Sequence, residues 1–288
     1  MKRIAEIVFI CLLAGLPLAG RDREADLRAE IAFLTDSLRA GRACGSPGAG
    51  ETVFYLAGQL RNAGLQVSVQ HFPAGGRTGR NVVAVTPGSY SSYIVVGAYF
   101  DGLGLLDGTF YPGADSNASG VAALLSLARD LPARPQGTVG LIFVAFDAHN
   151  ADLAGSRAFL ERYRREYRIA LFANLDILGC SLAPLHRGQP DYLMVLGGAP
   201  MRKSLERANR ELHLDLAFDY YGSSAFTDLF YRRVSDQRWA VEARIPSVMF
   251  TSGITLNTNK RTDTADTIEY AVLERRIQFI GNWLRGQL

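Results

Sequence analysis

The chain has 288 residues, of which 48% are hydrophobic and 20% are charged, a composition typical of a globular protein with a sizeable core and one that excludes disorder as the main state. The formal net charge of +3 is small for this length. The arginine-rich stretches 161–168 and 202–211 carry acids within helical patterns, which indicates solvated helix faces, and we predict no nucleic-acid binding.

The N-terminal stretch MKRIAEIVFICLLAGLPLAG has the layout of a secretory signal. Its apolar run over 7–18 follows a short basic start and is too short for a comfortable membrane span. Arg21 stands where a bacterial lipid anchor would need a cysteine. We therefore predict a signal peptide over 1–20 and export to the periplasm or the cell exterior, with no lipid anchor on a signal-peptide cysteine and no membrane span in the mature chain.

Two cysteines, Cys44 and Cys180, follow the predicted signal. Export would place them in an oxidising compartment, where a disulfide can form. Two cysteines do not require a disulfide, however, so their pairing stays open.

Two helical patterns come first after the signal, each with apolar residues that recur at intervals of three and four. The first covers 27–38, and the second is ETVFYLAGQLRNAG, in which Gly64 is the predicted stop. The predicted buried positions are Leu27, Ile31, Leu34 and Leu38 in the first helix and Val53, Leu56 and Leu60 in the second.

Strand and helix patterns then alternate to the C-terminus. Three strand patterns, QVSVQHF, NVVAVTP and YIVVGAY, precede the helix SGVAALLSLARDL, which Pro132 closes. The strand VGLIFVAF precedes a helix over about 155–167, and the strands IALFANLDIL, YLMVLGG, LDLAFDY and SVMFTSG follow, with a helix near 201–212. A last helix has a predicted buried stripe of Leu273, Ile277, Ile280 and Leu284. This alternation predicts an α/β sheet covered by helices on both faces, in a single domain over 21–288.

In open α/β sheets, ligands bind beyond the carboxyl ends of the strands. Four such junctions are GAYFDGLG (97–104), YPGADSNASG (111–120), FDAHNADLAGS (146–156) and NLDILG (174–179). With SDQRWAVEARIPSVMFTSG (235–253) and RTDTADTIEY (261–270), they resemble, in order and spacing, the signature segments of the secreted zinc aminopeptidases related to bacterial leucyl aminopeptidase and to the glutaminyl cyclases. The resemblance runs from about residue 30 to the C-terminus and implies a three-layer α/β/α fold with a central mixed, mostly parallel sheet.

The resemblance also implies a particular chemistry. The family uses two zinc ions held by His, a bridging Asp, Glu, Asp and His, with a neighbouring Glu as the general base. The cations lower the pKa of bound water, and the free carboxylate takes its proton.

Matched residue by residue, the chain has replaced four of the five ligand positions of that family and also its general base. His149 stands at the general-base position, and Asp176 alone keeps a metal-ligand residue. One carboxylate cannot hold two zinc ions against water, so we expect no zinc cofactor and no peptidase mechanism. Asp101 remains as the acid that would orient the first His of the family, and Gln237 replaces a His that is common in relatives. The substituted ligand positions are Tyr99, Ser116, Asn150 and Thr262.

The same residues have purely structural interpretations. Asp176 is typical of a turn at a strand end, and His149 of a polar loop residue. Ser116 has the right position to cap a helix beginning near Asn117. Asp115 and Asp147 are interpreted as solvated or hydrogen-bonded loop acids, and His186 and His213 as surface residues.

Three hypotheses about function follow. The favoured one is a noncatalytic pseudo-peptidase whose vestigial cleft binds a peptide, a small ligand or a protein partner. The second is a hydrolase in which Ser116, His149 and Asp176 form a Ser-His-Asp arrangement, although the chain lacks a G-x-S-x-G elbow. The third is a single-metal site at Asp176 and His149 with Asp101 or Asp115 as the third ligand. The sequence leaves the ligand and the oligomeric state open.

Overall fold

The computed structural model of the protein describes residues 22–181 and 191–288. The predicted signal peptide and His186 lie outside the described residues. The strands are β1 (Gln66–Ala74), β2 (Arg77–Val85), β3 (Ser92–Tyr99), β4 (Gly104–Leu106), β5 (Thr109–Tyr111), β6 (Val139–Phe146), β7 (Ile169–Leu175), β8 (Tyr192–Leu196), β9 (Asp215–Ala217) and β10 (Ser247–Thr251). The helices are α1 (Arg23–Thr35), α2 (Pro47–Asn62), α3 (Ser119–Asp130), α4 (Ala154–Glu166), α5 (Arg202–Ala208), α6 (Ser224–Arg232), α7 (Arg238–Glu242) and α8 (Tyr270–Arg285).

Eight of these strands form one sheet, in the order β1-β2-β6-β3-β7-β10-β8-β9. The central strands β6, β3, β7 and β10 run parallel to one another. At the margins, β1 pairs antiparallel with β2, β2 with β6 and β8 with β10, whereas β9 runs parallel to β8. The prediction of a mixed, mostly parallel sheet is confirmed, and the carboxyl ends of four central strands lie at one edge.

Helices cover both faces of the sheet, which confirms the three-layer α/β/α prediction. One face packs against α1, α2, α3 and α8, and the other against α4 and α7. Alternate residues of β3 divide between the two layers, because successive side chains of a strand point to opposite faces. Tyr93 and Val95 join the α4 side, while Ile94, Val96 and Ala98 join the α3 side.

Local signals account for the ends of the helices. The Ser46 side chain accepts a hydrogen bond from the Ala49 N–H, and Pro47 occupies the first turn, so α2 begins there. Gly64, with φ of 82°, follows its end, as predicted. The predicted stripe of α8 is fully buried, and each such Leu or Ile contributes about 1.5–3 kcal/mol.

Some elements differ from the sequence prediction. The helical spacing predicts Leu38 as part of the first helix with Leu27, Ile31 and Leu34, but its side chain is 75% exposed. Asp36 is extended and accepts the Leu38 N–H, so α1 stops at Thr35 and a 3₁₀ turn follows. The β4–β5 hairpin and helices α6 and α7 were not predicted, and the helix expected near 201–212 is shorter.

Cys44 and Cys180 are buried free thiols in this structure.

No helix among residues 22–181 and 191–288 is both long enough and apolar enough to cross a membrane.

Candidate functional site

The candidate site is a cavity of about 170 Å³ at the carboxyl ends of the central parallel strands. Tyr99 ends β3, His149 follows β6, Asp176 follows β7 and Thr251 ends β10, and all four residues line the cavity. This is where open α/β sheets place their ligands. The other lining residues are Ile177, Tyr220, Phe230, Val234, Met249, Gly253, Ile254, Thr258 and Asn259.

His149 is held by a buried acid and an aromatic ring. Its Nδ1 lies 2.9 Å from Oδ2 of Asp236, which is fully buried. The imidazole stacks on the Tyr99 ring, with the ring centroids 3.7 Å apart and the planes 15° from parallel. Since a cation is attracted to the face of an aromatic ring, this stack favours a charged imidazole.

The charges around His149 also favour its protonated form. Burial lowers the pKa of His149, but the carboxylates of Asp236, Asp176 and Asp101 outweigh burial and raise the pKa to about 9. At neutral pH the side chain is therefore an imidazolium paired with Asp236. Burial, together with the Asp176 carboxylate, raises the pKa of Tyr99 well above its usual range, so this phenol is neutral.

Asp101 holds the loop that carries His149. Its Oδ1 accepts the His149 N–H at 2.8 Å, and its Oδ2 accepts the Asn150 N–H and side-chain amide, each at 3.3 Å. Burial raises the pKa of Asp101 to about 6, against the stabilising effect of these contacts. The residue that would orient a histidine at position 99 thus binds the loop at 149–150 instead, and Asn150 is exposed.

Asp176 is buried at the wall of the cavity. Its Oδ2 accepts a short hydrogen bond from the Ser235 hydroxyl, and its backbone N–H donates to Phe250. Burial raises the pKa of Asp176, while His149 and Ser235 lower it. The hydrogen bond from Ser235 uses Oδ2, and Asp176 is one of the residues that line the cavity.

Ser116 sits in a turn fixed by Asp263. The backbone N–H groups of Asp115 and Ser116 donate to the two oxygens of Asp263, at 2.7 and 3.0 Å. The Ser116 hydroxyl contributes to stabilising the Asp263 carboxylate, but it does not reach hydrogen-bond geometry with any described residue. The prediction that Ser116 caps the next helix is wrong, because α3 begins later and Asn117 Oδ1 accepts the Gly120 N–H.

Two buried side chains tie this turn to the strand ends. Asn117 donates to the carbonyls of Tyr99 and Leu175, at 3.3 and 3.0 Å. Asp115 Oδ1 accepts the Gly179 N–H at 2.7 Å, and burial, with the nearby Asp263, raises the pKa of Asp115 to about 6. The interpretation of Asp115 as a hydrogen-bonded loop acid is correct, and Asp147 likewise accepts two backbone N–H groups.

Thr262, like Ser116 and Asn150, is a matched position that does not line the cavity. Its side chain is exposed and donates to Asn257 at 2.9 Å. Thr258 and Asn259 of the same loop line the cavity instead. His213 is exposed, as predicted, and Gln237 is buried, where it bonds Asn174 and the carbonyls of two residues of α6.

The side chains at the site do not fit a metal centre. Across 22–181 and 191–288, no group of three His, Cys, Asp or Glu side chains is placed to hold a metal ion. The hypothesised third ligands are engaged elsewhere, Asp101 with the His149 loop and Asp115 with Gly179. The single-metal arrangement around Asp176 is therefore not formed.

The hypothesised Ser-His-Asp arrangement is not formed either. Ser116 Oγ makes no hydrogen bond to His149, and the acid on the imidazole is Asp236 rather than Asp176. Asp236 and Asp263 are the site residues that sequence reasoning missed. In the sequence, the sign of their importance is that Asp236 lies in SDQ and Asp263 in RTD, within two of the segments that resemble the zinc aminopeptidases.

The chain is similar in sequence to a known protein family and to several curated proteins. The profile of Peptidase family M28 matches residues 81–284. Leupeptin-inactivating enzyme 1 of Streptomyces exfoliatus is 30% identical over 142 residues, which are 48% of this chain and 31% of that protein. The matched part of the chain spans 31% of that protein and between 32% and 57% of the length of the proteins named leucine aminopeptidase 1 that it matches.

Two solved structures share the fold over most of the chain. The LapA aminopeptidase of Legionella pneumophila has a TM-score of 0.74 at 15% identity, covering 90% of this chain and 70% of that one. BSAP, a zinc aminopeptidase from Bacillus subtilis, has a TM-score of 0.73 at 14% identity, covering 92% and 94%. At these identities the likeness concerns the fold alone.

Proposed function

The chain belongs to Peptidase family M28, and we propose that it is a noncatalytic member of that family. In this proposal the chain is a pseudo-peptidase whose cavity binds a peptide, a small ligand or a protein partner without zinc. The observation that carries the proposal is the His149–Asp236 pair, which stands where the family's mechanism needs a free carboxylate base. The fold is retained, but fold alone does not determine activity.

Proton transfer explains why this substitution matters. A general base works best when its pKa lies near the operating pH and its basic form is populated. His149, with a pKa of about 9, is protonated at neutral pH and cannot accept a proton from water. Tyr99 and Ser116, at positions matched to metal ligands, offer neutral oxygens that bind zinc poorly compared with imidazole or carboxylate.

The test is an aminopeptidase assay of the purified protein on L-leucine p-nitroanilide and a panel of short peptides, with and without added zinc. We expect no zinc-dependent release of the first residue. Asp176→Asn is the matched control, because activity of the chain's own site would fall in this variant, whereas a contaminating peptidase would not respond. Zinc-dependent turnover that Asp176→Asn abolishes would refute the proposal.

A metal-free hydrolase is the second candidate, and one observation favours it. The Asp236 carboxylate orients His149 through Nδ1 and leaves Nε2 as the ring nitrogen without a partner among the described residues. This resembles the acid-oriented histidine of hydrolases. Hydrolysis of ester or amide substrates in chelator, lost in His149→Gln, would establish it, but the absence of a hydrogen-bonded nucleophile makes the binding function better supported.

Export is a further part of the proposal, supported by the signal-like pattern over 1–20. Expression of the full chain, followed by N-terminal sequencing of the secreted or periplasmic product, tests it. A product that stays uncleaved inside the cell would contradict it.

A further inference from the structure

The outer face of helix α2 exposes a large aromatic side chain. Phe54 is 82% exposed, whereas Val53, Leu56 and Leu60 of the same helix are buried in the core. A single exposed apolar residue is ordinary on a protein surface, so the meaning of Phe54 depends on what surrounds it.

A groove of about 810 Å³ runs along this face of α2. Its lining residues from α2 recur at intervals of three and four from Pro47 to Asn62, so the groove follows the whole length of the helix. Beside the helix, the rings of Phe33 and Tyr55 stack with their centroids 3.9 Å apart, and the Arg39 guanidinium lies 4.1 Å from the centroid of the Phe33 ring. The groove therefore has an ordered aromatic wall.

The helix leaves space on either side of Phe54. Gly50 and Gly58 lie four residues before and after it, which places all three residues on one face of α2. A Cβ added at Gly58 would meet no atom within 4 Å, so the space above this glycine is open. The face thus carries one projecting ring and, about one turn further along, an open space bounded by backbone.

A second copy of this face is complementary to the first when the two helices run antiparallel. In a two-fold dimer the same patch is used on both subunits, so each contact occurs twice. A two-fold axis at the level of Leu56 puts position 54 of one subunit opposite position 58 of the other. Phe54 of each subunit then fills the open space above Gly58 of the partner subunit.

The charges on the face favour the same arrangement. The Glu51 side chain is 57% exposed and pairs with Arg39 at 2.6 Å, while Arg61 is exposed and has no ion pair with any residue in 22–181 or 191–288. Positions 51 and 61 are about 15 Å apart along the helix and equidistant from Leu56. An antiparallel pair therefore brings Arg61 to Glu51 of the partner subunit at both ends, whereas a parallel pair would bring like charges together.

We propose that the chain forms a two-fold homodimer through the outer faces of its α2 helices, which pack antiparallel. Phe54 of each subunit packs over Gly58 of the partner subunit, and Arg61 pairs with Glu51 of the partner subunit. This interaction surface does not involve the cavity at the strand ends and does not depend on the proposed noncatalytic function.

The test is sedimentation equilibrium of the purified protein from micromolar to near-millimolar concentration. We expect a reversible equilibrium between monomer and dimer in the wild type. Phe54→Ala should weaken dimerisation at least about thirtyfold, the loss typical of a central aromatic residue in an interface. Phe226→Ala is the matched control, because Phe226 is a 54% exposed residue of another helix, α6, and should leave dimerisation unchanged.

A variant at Gly58 tests the opposite side of the same contact. Gly58→Lys is compatible with the monomer, because the space above this position is open and lysine favours a helix more than glycine does. The added side chain would occupy the space that Phe54 of the partner subunit needs, so dimerisation should weaken at least about tenfold. Thermal unfolding of this variant should show no loss of stability.

Two charge variants test the antiparallel register. Glu51→Arg and Arg61→Glu each place like charges at both ends of the helix pair, and each variant alone should weaken dimerisation at least about tenfold. An equal mixture of the two variants should form a heterodimer, because opposite charges then meet at both ends. A merely structural defect in either variant would not be rescued by mixing.

Three outcomes would overturn the proposal. A wild type that stays monomeric at every concentration would leave the groove to a small ligand or to another protein. A dimer that Phe54→Ala leaves intact would use a different surface. Charge variants that do not associate when mixed would contradict the antiparallel register. Each outcome is separate from the aminopeptidase assay, which tests the proposed function.

Discussion

The His149–Asp236 pair predicts a specific dependence of stability on pH. A histidine whose pKa is raised on folding stabilises the protein fully below its unfolded pKa and loses that contribution as the pH rises through the folded pKa. For His149 the change is from 6.5 to about 9. At about 1.4 kcal/mol per pH unit, the pair contributes roughly 3 kcal/mol below pH 6.5, and this is lost between about pH 6.5 and 9.

The assay is urea unfolding of the wild type and of the His149→Gln/Asp236→Asn variant at pH values from 6 to 10. The variant has no titrating histidine at the site, so the titration of groups that do not interact with the pair cancels in the difference between the two proteins. Burial raises the pKa values of the thiols of Cys44 and Cys180, and their effect on stability at high pH cancels in this difference. We expect the difference in the free energy of unfolding to change by roughly 3 kcal/mol toward the variant as the pH rises. A difference that is constant with pH would refute the ion-paired imidazolium.

Three further predictions concern the groups around the site. Burial raises the pKa of Asp115 from 3.8 to about 6, so ionisation of this carboxyl destabilises the fold at higher pH. Asp115→Asn should therefore raise the free energy of unfolding at pH 7 by up to roughly 3 kcal/mol. Urea unfolding should show this gain at pH 7 and none at pH 4. Asp101→Ala removes the acceptor of two loop N–H groups, and hydrogen exchange at the amide of His149 should become faster while exchange in the core is unchanged. Gly155→Ala would place a Cβ 2.1 Å from the backbone oxygen of Asp147, so thermal unfolding should show a loss of about 1–3 kcal/mol; a variant as stable as the wild type would contradict this packing.

Much of the fold could be predicted from the sequence because its signals are local. The β-branched runs and the stripe of α8 each carry their own periodicity, and both are found as predicted. The prediction for Leu38 was wrong because Asp36, two residues before it, accepts the Leu38 N–H and the helix ends there. The spacing of apolar residues alone does not reveal such a helix end. The strands of the β4–β5 hairpin have three residues each, and α6 has nine residues of which none is buried, so neither forms a long pattern of core positions.

The site could be predicted only in part, for a different reason. Tyr99, His149 and Asp176 follow strand ends, so the topology of a parallel sheet brings them together. The partner of His149 lies 87 residues further along the chain, and no local pattern links the two. Loop residues are placed by their own hydrogen bonds rather than by periodicity, which is why Thr262 points away from the cavity.

The proposed cation of this site is an imidazolium paired with a buried acid rather than a metal ion. The most direct measurement is the zinc content of the protein purified from residue 21 onward, by elemental analysis after equilibration with micromolar zinc and removal of free metal. We expect no zinc above the level found in Asp176→Asn. Two zinc ions per chain in the wild type, lost in Asp176→Asn, would contradict it.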